Sequence, residues 1–267
     1  LAGYVQGMPR ANRHHVPGCV WHITHRCHKQ EFLFKFAQDR RRYLHWLFEA
    51  KKRFGLKILN YIVTSNHIHL LVLDGGMEAI PQSLQLIAGR TAQEFNLRKN
   101  RKGAFWEDRY HATAIEADHH LHRCITYIDL NMVRAGKVAH PSQWPASGYH
   151  EIQHPPARYT LIDREALMKL CGMPSSEQLS VAHRQWIEEA LGSKAEQTRE
   201  VGWSESIAVG SPAFLEGIKG GLRKVRNREI CSAKDICTLR EPSSSYSSVF
   251  GRENDALSLE NSYLWDD

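Results

Sequence analysis

Residues 56–73, LKILNYIVTSNHIHLLVL, decide the fold of this chain. LKILNYIVT (56–64) and HIHLLVL (67–73) are short runs dense in β-branched and apolar residues, and both predict strands. Ser65-Asn66 leaves room only for a tight connection, and Asp74-Gly75-Gly76 closes the second run. Residues two apart on a strand share a face. His67 and His69 therefore present two imidazoles side by side, while Ile68, Leu70 and Val72 face a core.

Working outward, CVWHITHRC (19–27) alternates and predicts a strand. Leu44, Leu47 and Phe48 recur at helical spacing between Ala37 and Phe54, and Gly55 supplies a stop. A second helix is expected over Pro81–Arg98, with Leu84, Ile87, Ala88, Thr91 and Phe95 on one face. The basic loop RKNRKG (98–103) leads to AFWEDRYHATAI (104–115), which predicts another strand. A third helix is expected from Asp118 to Arg134, before Gly136, and residues 140–156 read as an irregular closing segment. Strand, helix, two strands, helix, strand, helix lacks strict βα alternation and implies an antiparallel α+β sandwich.

Composition divides the chain. Through residue 155 there are 21 basic and 12 acidic residues, and after it 14 and 17; 15 of the 16 histidines lie in the first part. A basic, His-rich unit suggests a polyanionic partner. The expected organisation is an arm over 1–18, a catalytic unit over 19–156, a helical region over 157–228 and a loop-rich tail over 229–267 that includes PSSSYSS (242–248). SSEQLSVAHRQWIEEAL (175–191) predicts an amphipathic helix, and the stretch over 204–228 is read as a helical appendage rather than a helix-turn-helix. No apolar run has the roughly 18 residues a membrane span needs. Six cysteines without a CxxC pair, and without a secretory signal, suggest reduced thiols and a cytoplasmic protein.

Three groups of residues carry chemistry. Imidazole is a common ligand of divalent transition metals, so His67 and His69 are metal-ligand candidates; on its own, HxH also suits two solvated histidines. Leu70 and Leu71 follow, so the HxHxDH pattern of two-zinc hydrolases is absent, and no HExxH helix occurs. On the helix expected over 118–134, Arg123, Tyr127, Asn131 and Arg134 flank an apolar stripe of Leu121, Cys124, Ile125, Ile128 and Met132. A phenol is a candidate nucleophile, a carboxamide oxygen a candidate ligand for a hard cation, and guanidiniums candidate phosphate clamps. Finally, Arg98, Lys99, Arg101, Lys102 and Arg109 interleave with Phe105, Trp106 and Tyr110, a mixture that suits single-stranded nucleic acid. His22, Thr24, Arg26 and His28 share one strand face and could line the same cleft.

The ordered set YIVTSNHIHLLV, GAFWEDRYHATAI and CITYIDLNMVRAGKV resembles the IS200-type tyrosine transposases, and most nearly their REP-associated branch, over about residues 9–155. The resemblance implies a ferredoxin-like or RNA-recognition-motif-like antiparallel sheet with helices mainly on one face. It implies that His67 and His69 are the HUH pair holding Mg2+ or Mn2+, that Asn131 completes the metal site, and that Tyr127 is the nucleophile. The implied substrate is single-stranded DNA beside a hairpin, cut through a 5′-phosphotyrosine intermediate by a monomer or homodimer. Thr64-Ser65-Asn66 departs from the Met that commonly precedes the first histidine. Residues 18–21 read Gly-Cys-Val-Trp where some REP-associated members carry Gly-Thr-Trp-Ser. Tyr110 is a rival nucleophile without the partner one turn on. The competing functions are a catalytically silent DNA-binding protein and a metal-dependent hydrolase that uses the HxH pair with water.

Overall fold

The structure is a computed structural model that describes residues 16–76, 78–117, 119–193, 200–222, 228–233 and 236–241. Most of the arm over 1–18, most of the basic run after Leu222, and the tail from 242 lie outside these residues. The first strand, β1 (Val20–Arg26), leads to α1 (Ala37–Phe54). Gly55 ends that helix in the left-handed region at φ 67° and returns its N–H to the Lys51 carbonyl, as the sequence predicts. The expected hairpin follows as β2 (Lys57–Val63) and β3 (His67–Leu73), and then α2 (Ala79–Arg98).

The strand predicted over 104–115 is confined to β4 (His111–Ile115). The preceding segment is held to β1 and its end without forming a strand, by a bridge between Cys27 and Trp106, by bonds from the Glu107 N–H to the Arg26 carbonyl and from the His28 N–H to the Phe105 carbonyl, and by His25 Nε2 against the Asp108 carbonyl. The aromatic residues that suggested strand there serve packing instead. Phe105 is buried against Phe34 and Phe95, and Trp106 stacks on His25 with ring centroids 3.9 Å apart. Their predicted role as a base-stacking platform is not what the structure gives them.

The helix predicted over 118–134 is two pieces, α3 (His119–Asp129) and α4 (Asn131–Arg134), joined at Leu130. Leu130 has ψ 3°, yet its N–H still reaches the Thr126 carbonyl and its own carbonyl accepts from Arg134. The axis bends without losing its ladder. The closing segment contains α5 (Tyr149–Gln153). Gly148 before it has no room for a side chain: a Cβ there would lie 2.2 Å from Asn60 Oδ1 and 3.1 Å from the Tyr61 nitrogen on β2.

The later half supplies α6 (Arg164–Leu170), α7 (Ser176–Gly192), α8 (Gly202–Glu205), β5 (Ala208–Val209), α9 (Pro212–Gly221), β6 (Glu229–Ala233) and β7 (Ile236–Arg240). The tail expected to be loop-rich from residue 229 thus begins with a hairpin. The seven strands of the described residues form one sheet in the order β2-β3-β1-β4-β5-β7-β6. Pairing is antiparallel except for β4 with β5. The first four strands match the expected α+β sheet, and the later three extend it across the predicted boundary near residue 157.

Both faces of the sheet are covered, not mainly one. His25 and Trp106 lie on the face that carries α1 and α2, where the Trp106 indole N–H donates to the Ala88 carbonyl. Asn60, on the opposite face, reaches the Ile125 carbonyl and Asp129 on α3. No helix among the described residues is long and apolar enough to cross a membrane.

Candidate active site

Strand register builds the floor. Thr24 pairs with His69 on one side and His111 on the other; Arg26 pairs with His67, and His22 with Thr113. Directly paired residues point to the same face, so one face of three strands carries His22, Thr24, Arg26, His67, His69, His111 and Thr113. On a sheet otherwise rich in buried aliphatic side chains, this patch is polar by sequence design. It floors an open cleft of about 650 Å³ whose walls include Arg109, Tyr127, Asn131, Arg134 and Glu205.

The two expected histidines meet there with ring centroids 5.0 Å apart. The residues preceding them fix the first ring. The Thr64 hydroxyl donates to the His67 carbonyl at 2.8 Å, so its oxygen faces His67 Nδ1, 3.0 Å away, as an acceptor. The Asn66 amide oxygen lies 2.7 Å from the same nitrogen. His67 Nδ1 must donate to these oxygens, which leaves Nε2 with its lone pair. Thr64-Ser65-Asn66, the departure noted in the sequence, is thus a positioning loop for His67.

His69 is buried, with Nε2 3.0 Å from Asn131 Nδ2 and Nδ1 2.8 Å from His22 Nε2. Burial, aided by its His22 and His67 neighbours, pushes its pKa well below the ordinary imidazole value. Burial likewise pushes His22 down to about 4, although the Trp203 carbonyl opposes the shift. Both rings stay neutral, the form in which imidazole binds metals. His67, His69 and Asn131 all line the cleft, and imidazole nitrogens with a carboxamide oxygen are donors that suit a divalent cation. Among the described residues no group of three or more His, Cys, Asp or Glu side chains converges on a metal position, so the fit depends on the Asn131 amide.

Tyr127 stands over this group. Its ring lies 5.9 Å from the His69 ring, 6.1 Å from His22 and 6.1 Å from Trp203, and it is only 8% exposed. The Arg134 guanidinium sits 4.1 Å above the Tyr127 ring and donates to the Tyr127 carbonyl at 2.5 Å. Its Nη1 is buried with no hydrogen-bond partner among the described residues. Tyr110 does not line the cleft.

The basic candidates separate. Arg109 and Arg134 line the cleft; Arg98, Lys99, Arg101, Lys102 and Arg123 do not. Arg98 is committed to buried Asp39. Arg101 bonds to the Ala104 carbonyl and pairs with Glu31, and Lys99 lies over the Phe36 ring. Arg123 pairs with Glu200 at the edge of a second recess, of about 170 Å³, on the other side of Tyr127. The strongest basic run in the sequence therefore braces the α2 end, while Arg26, on the polar strand face, takes a place in the cleft.

Sequence reasoning missed the contribution of α8 and its flanks. Trp203 is buried beside Tyr127 and gives its carbonyl to His22 at 2.7 Å. The Ser206 carbonyl accepts from His111 and Thr113. These partners lie some 90 to 180 residues from the groups they hold, and no local pattern announces a backbone carbonyl.

Residues 15–131 match the family described as "Transposase IS200 like". That stretch is similar to the IS200-like transposases. The match covers a little under half of the chain and includes His67, His69, Tyr127 and Asn131. Among solved structures, the chain is similar to a REP-associated tyrosine transposase bound to a REP hairpin, at 20% identity and a TM-score of 0.46, over 54% of this chain and 84% of that one. It is also similar to a candidate transposase from Deinococcus radiodurans R1, at 14% identity and a TM-score of 0.32, over 48% and 98%. No curated protein matches the chain.

Proposed function

We propose that residues 15–131 form an IS200-like transposase domain that nicks and rejoins single-stranded DNA next to a hairpin, with Tyr127 as the nucleophile. The observation that carries this reading is the position of Tyr127, whose ring lies 5.9 Å from that of His69 in the cleft that His67, His69 and Asn131 line.

The Tyr127 oxygen attacks the scissile phosphorus, and the bond from phosphorus to the 3′ oxygen breaks. The products are a 5′-phosphotyrosine link and a 3′-hydroxyl; the phenol loses a proton and the leaving oxygen gains one. Attack by another 3′-hydroxyl reverses the step and joins strands, so no nucleotide cofactor is consumed. A Mg2+ or Mn2+ held by His67, His69 and Asn131 would polarise the phosphate oxygens when bound. A tyrosine in water has a pKa of about 10. The Arg134 guanidinium over the ring favours the phenolate. Its unpartnered Nη1 suits a phosphate oxygen. Arg26 and Arg109, at the cleft wall, suit the flanking backbone.

The test is a covalent-adduct assay with labelled single-stranded hairpin oligonucleotides, with Mn2+ or Mg2+ and after chelation. A labelled band that needs both the metal and Tyr127 is expected. Wild-type cleavage by Tyr127→Phe would sink the assignment. Cleavage without any covalent species would favour a hydrolase, and tight binding without cleavage a silent DNA-binding protein.

A further inference from the structure

We propose that His22 is a positioning residue that fixes the proton of His69 on Nδ1, so that the outer nitrogen of His69 is held unprotonated. This rests on the reading of His69 as a metal ligand.

The geometry is a chain of four groups in line. Trp203 offers a carbonyl oxygen 2.7 Å from His22 Nδ1; His22 Nε2 lies 2.8 Å from His69 Nδ1; His69 Nε2 lies 3.0 Å from Asn131 Nδ2. The two imidazole planes are within 13° of each other with centroids 5.0 Å apart, an arrangement compatible with an N–H···N bond between them. A backbone carbonyl has no proton to give, so His22 Nδ1 is the donor in the first link. His22 is fully buried, with 0% exposure, and an imidazolium there would stand uncompensated. A neutral ring with its proton on Nδ1 has none on Nε2. The second link must then be donated by His69 Nδ1, and His69 Nε2 is left unprotonated on the cleft side, where it accepts from the Asn131 amide Nδ2.

Metal-binding histidines generally need a partner on the far nitrogen, and a carboxylate or carbonyl is the usual one. Among the described residues the partner of His69 Nδ1 is a second imidazole, not a carboxylate. A second histidine stands between the ligand and the carbonyl, so the acceptor is relayed from the C-terminal extension to the catalytic strand. The sequence distance between Trp203 and His22 is 181 residues, so the extension contributes directly to the protonation state of the site.

The experiment uses the full chain, free of metal, labelled with 15N on histidine. Long-range proton–nitrogen correlation spectra assign the protonated nitrogen of His69 in wild type, His22→Phe and His22→Gln. Titration with Mn2+ alone, without DNA, reads affinity. Wild type is expected to show His69 protonated on Nδ1. His22→Phe removes the acceptor; His69 should move toward the Nε2-protonated form, and Mn2+ affinity should fall about 10- to 100-fold. His22→Gln retains an acceptor and should restore both. His69 protonated on Nε2 in the wild type, or a His22→Phe protein with unchanged tautomer and Mn2+ affinity, would overturn the proposal. A wild-type protein with the Nδ1 proton that binds no Mn2+ would overturn the metal-site reading alone, since the tautomer is read without metal.

Discussion

Arg134 does two jobs that a lysine cannot do together. Its guanidinium lies 4.1 Å from the centre of the Tyr127 ring while one arm holds the Tyr127 carbonyl and another is buried without a hydrogen-bond partner among the described residues. A lysine offers a point charge and no fork. Arg134→Lys should therefore keep single-stranded DNA binding within about tenfold while lowering single-turnover cleavage by about 10²–10³-fold, the cost of removing one aimed donor from a developing negative charge. Equal losses in binding and cleavage would instead make Arg134 a simple phosphate contact. At this scale the sequence is legible where side chains act as themselves. His67 and His69 alternate on a strand, and Tyr127 and Asn131 fall one turn apart, so both spacings place them on one face. It is illegible where the partner is backbone: the carbonyls of Trp203 and Ser206 complete the site, yet any residue could supply them.

The helix that carries Tyr127 is held from behind by buried polar groups. Asp129 accepts from Asn60 on β2 at 3.1 Å and from His183 on α7 at 2.7 Å, and Gln153 on α5 donates to the other His183 nitrogen at 2.8 Å. The Gln153 amide donor requires a bare His183 Nδ1, so His183 donates to Asp129 from Nε2. Removing His183 leaves the Asp129 carboxylate buried and short of a donor. His183→Leu should cost about 3–5 kcal/mol in denaturant unfolding, and Asp129→Asn in the same chain should recover part of it. Independent, additive effects of the two changes would refute the pairing. Elements were legible where a period was sustained. The apolar spacing over 37–54 and the β-branched runs over 57–73 gave α1, β2 and β3 within a residue or two. The strand over 104–115 was overextended because Phe105 and Trp106 have strand-like composition but pack into the α1–α2 layer. The strand pair Glu229–Ala233 and Ile236–Arg240 is not legible because two five-residue strands carry too short a period.

At the scale of the whole molecule, the shift in charge near residue 155 marks a change of surface, not of body. The later half joins the same sheet through β5, β7 and β6 and lays α7 and α8 against the helix and strands of the site. Composition cannot reveal this, because a strand as short as Ala208–Val209 has no pattern of its own and is specified by the β4 edge it pairs with. The seam itself is anchored by a buried acid. Glu151 on α5 accepts from the Ile162 N–H at 2.8 Å, and Lys51 and Arg164 hold carbonyls on either side of it. Burial raises the Glu151 pKa above the ordinary carboxylate value, although the backbone donors at Ile162 and Leu161 oppose the shift. The folded chain thus holds this proton more tightly than the unfolded one, whose glutamate titrates near about 4.3. The contribution is complete below that value, and stability is lost as pH rises through the folded pKa. Glu151→Gln keeps an acceptor for Ile162 and has no charge to bury. Its melting temperature relative to wild type should therefore climb between about pH 4 and about pH 8. The difference between the two pH values cancels any fixed cost of the amide. A gap that stays level or shrinks across that range would place Glu151 ionised in both states without penalty, and the seam would then owe its strength to Arg164 and Lys51 instead.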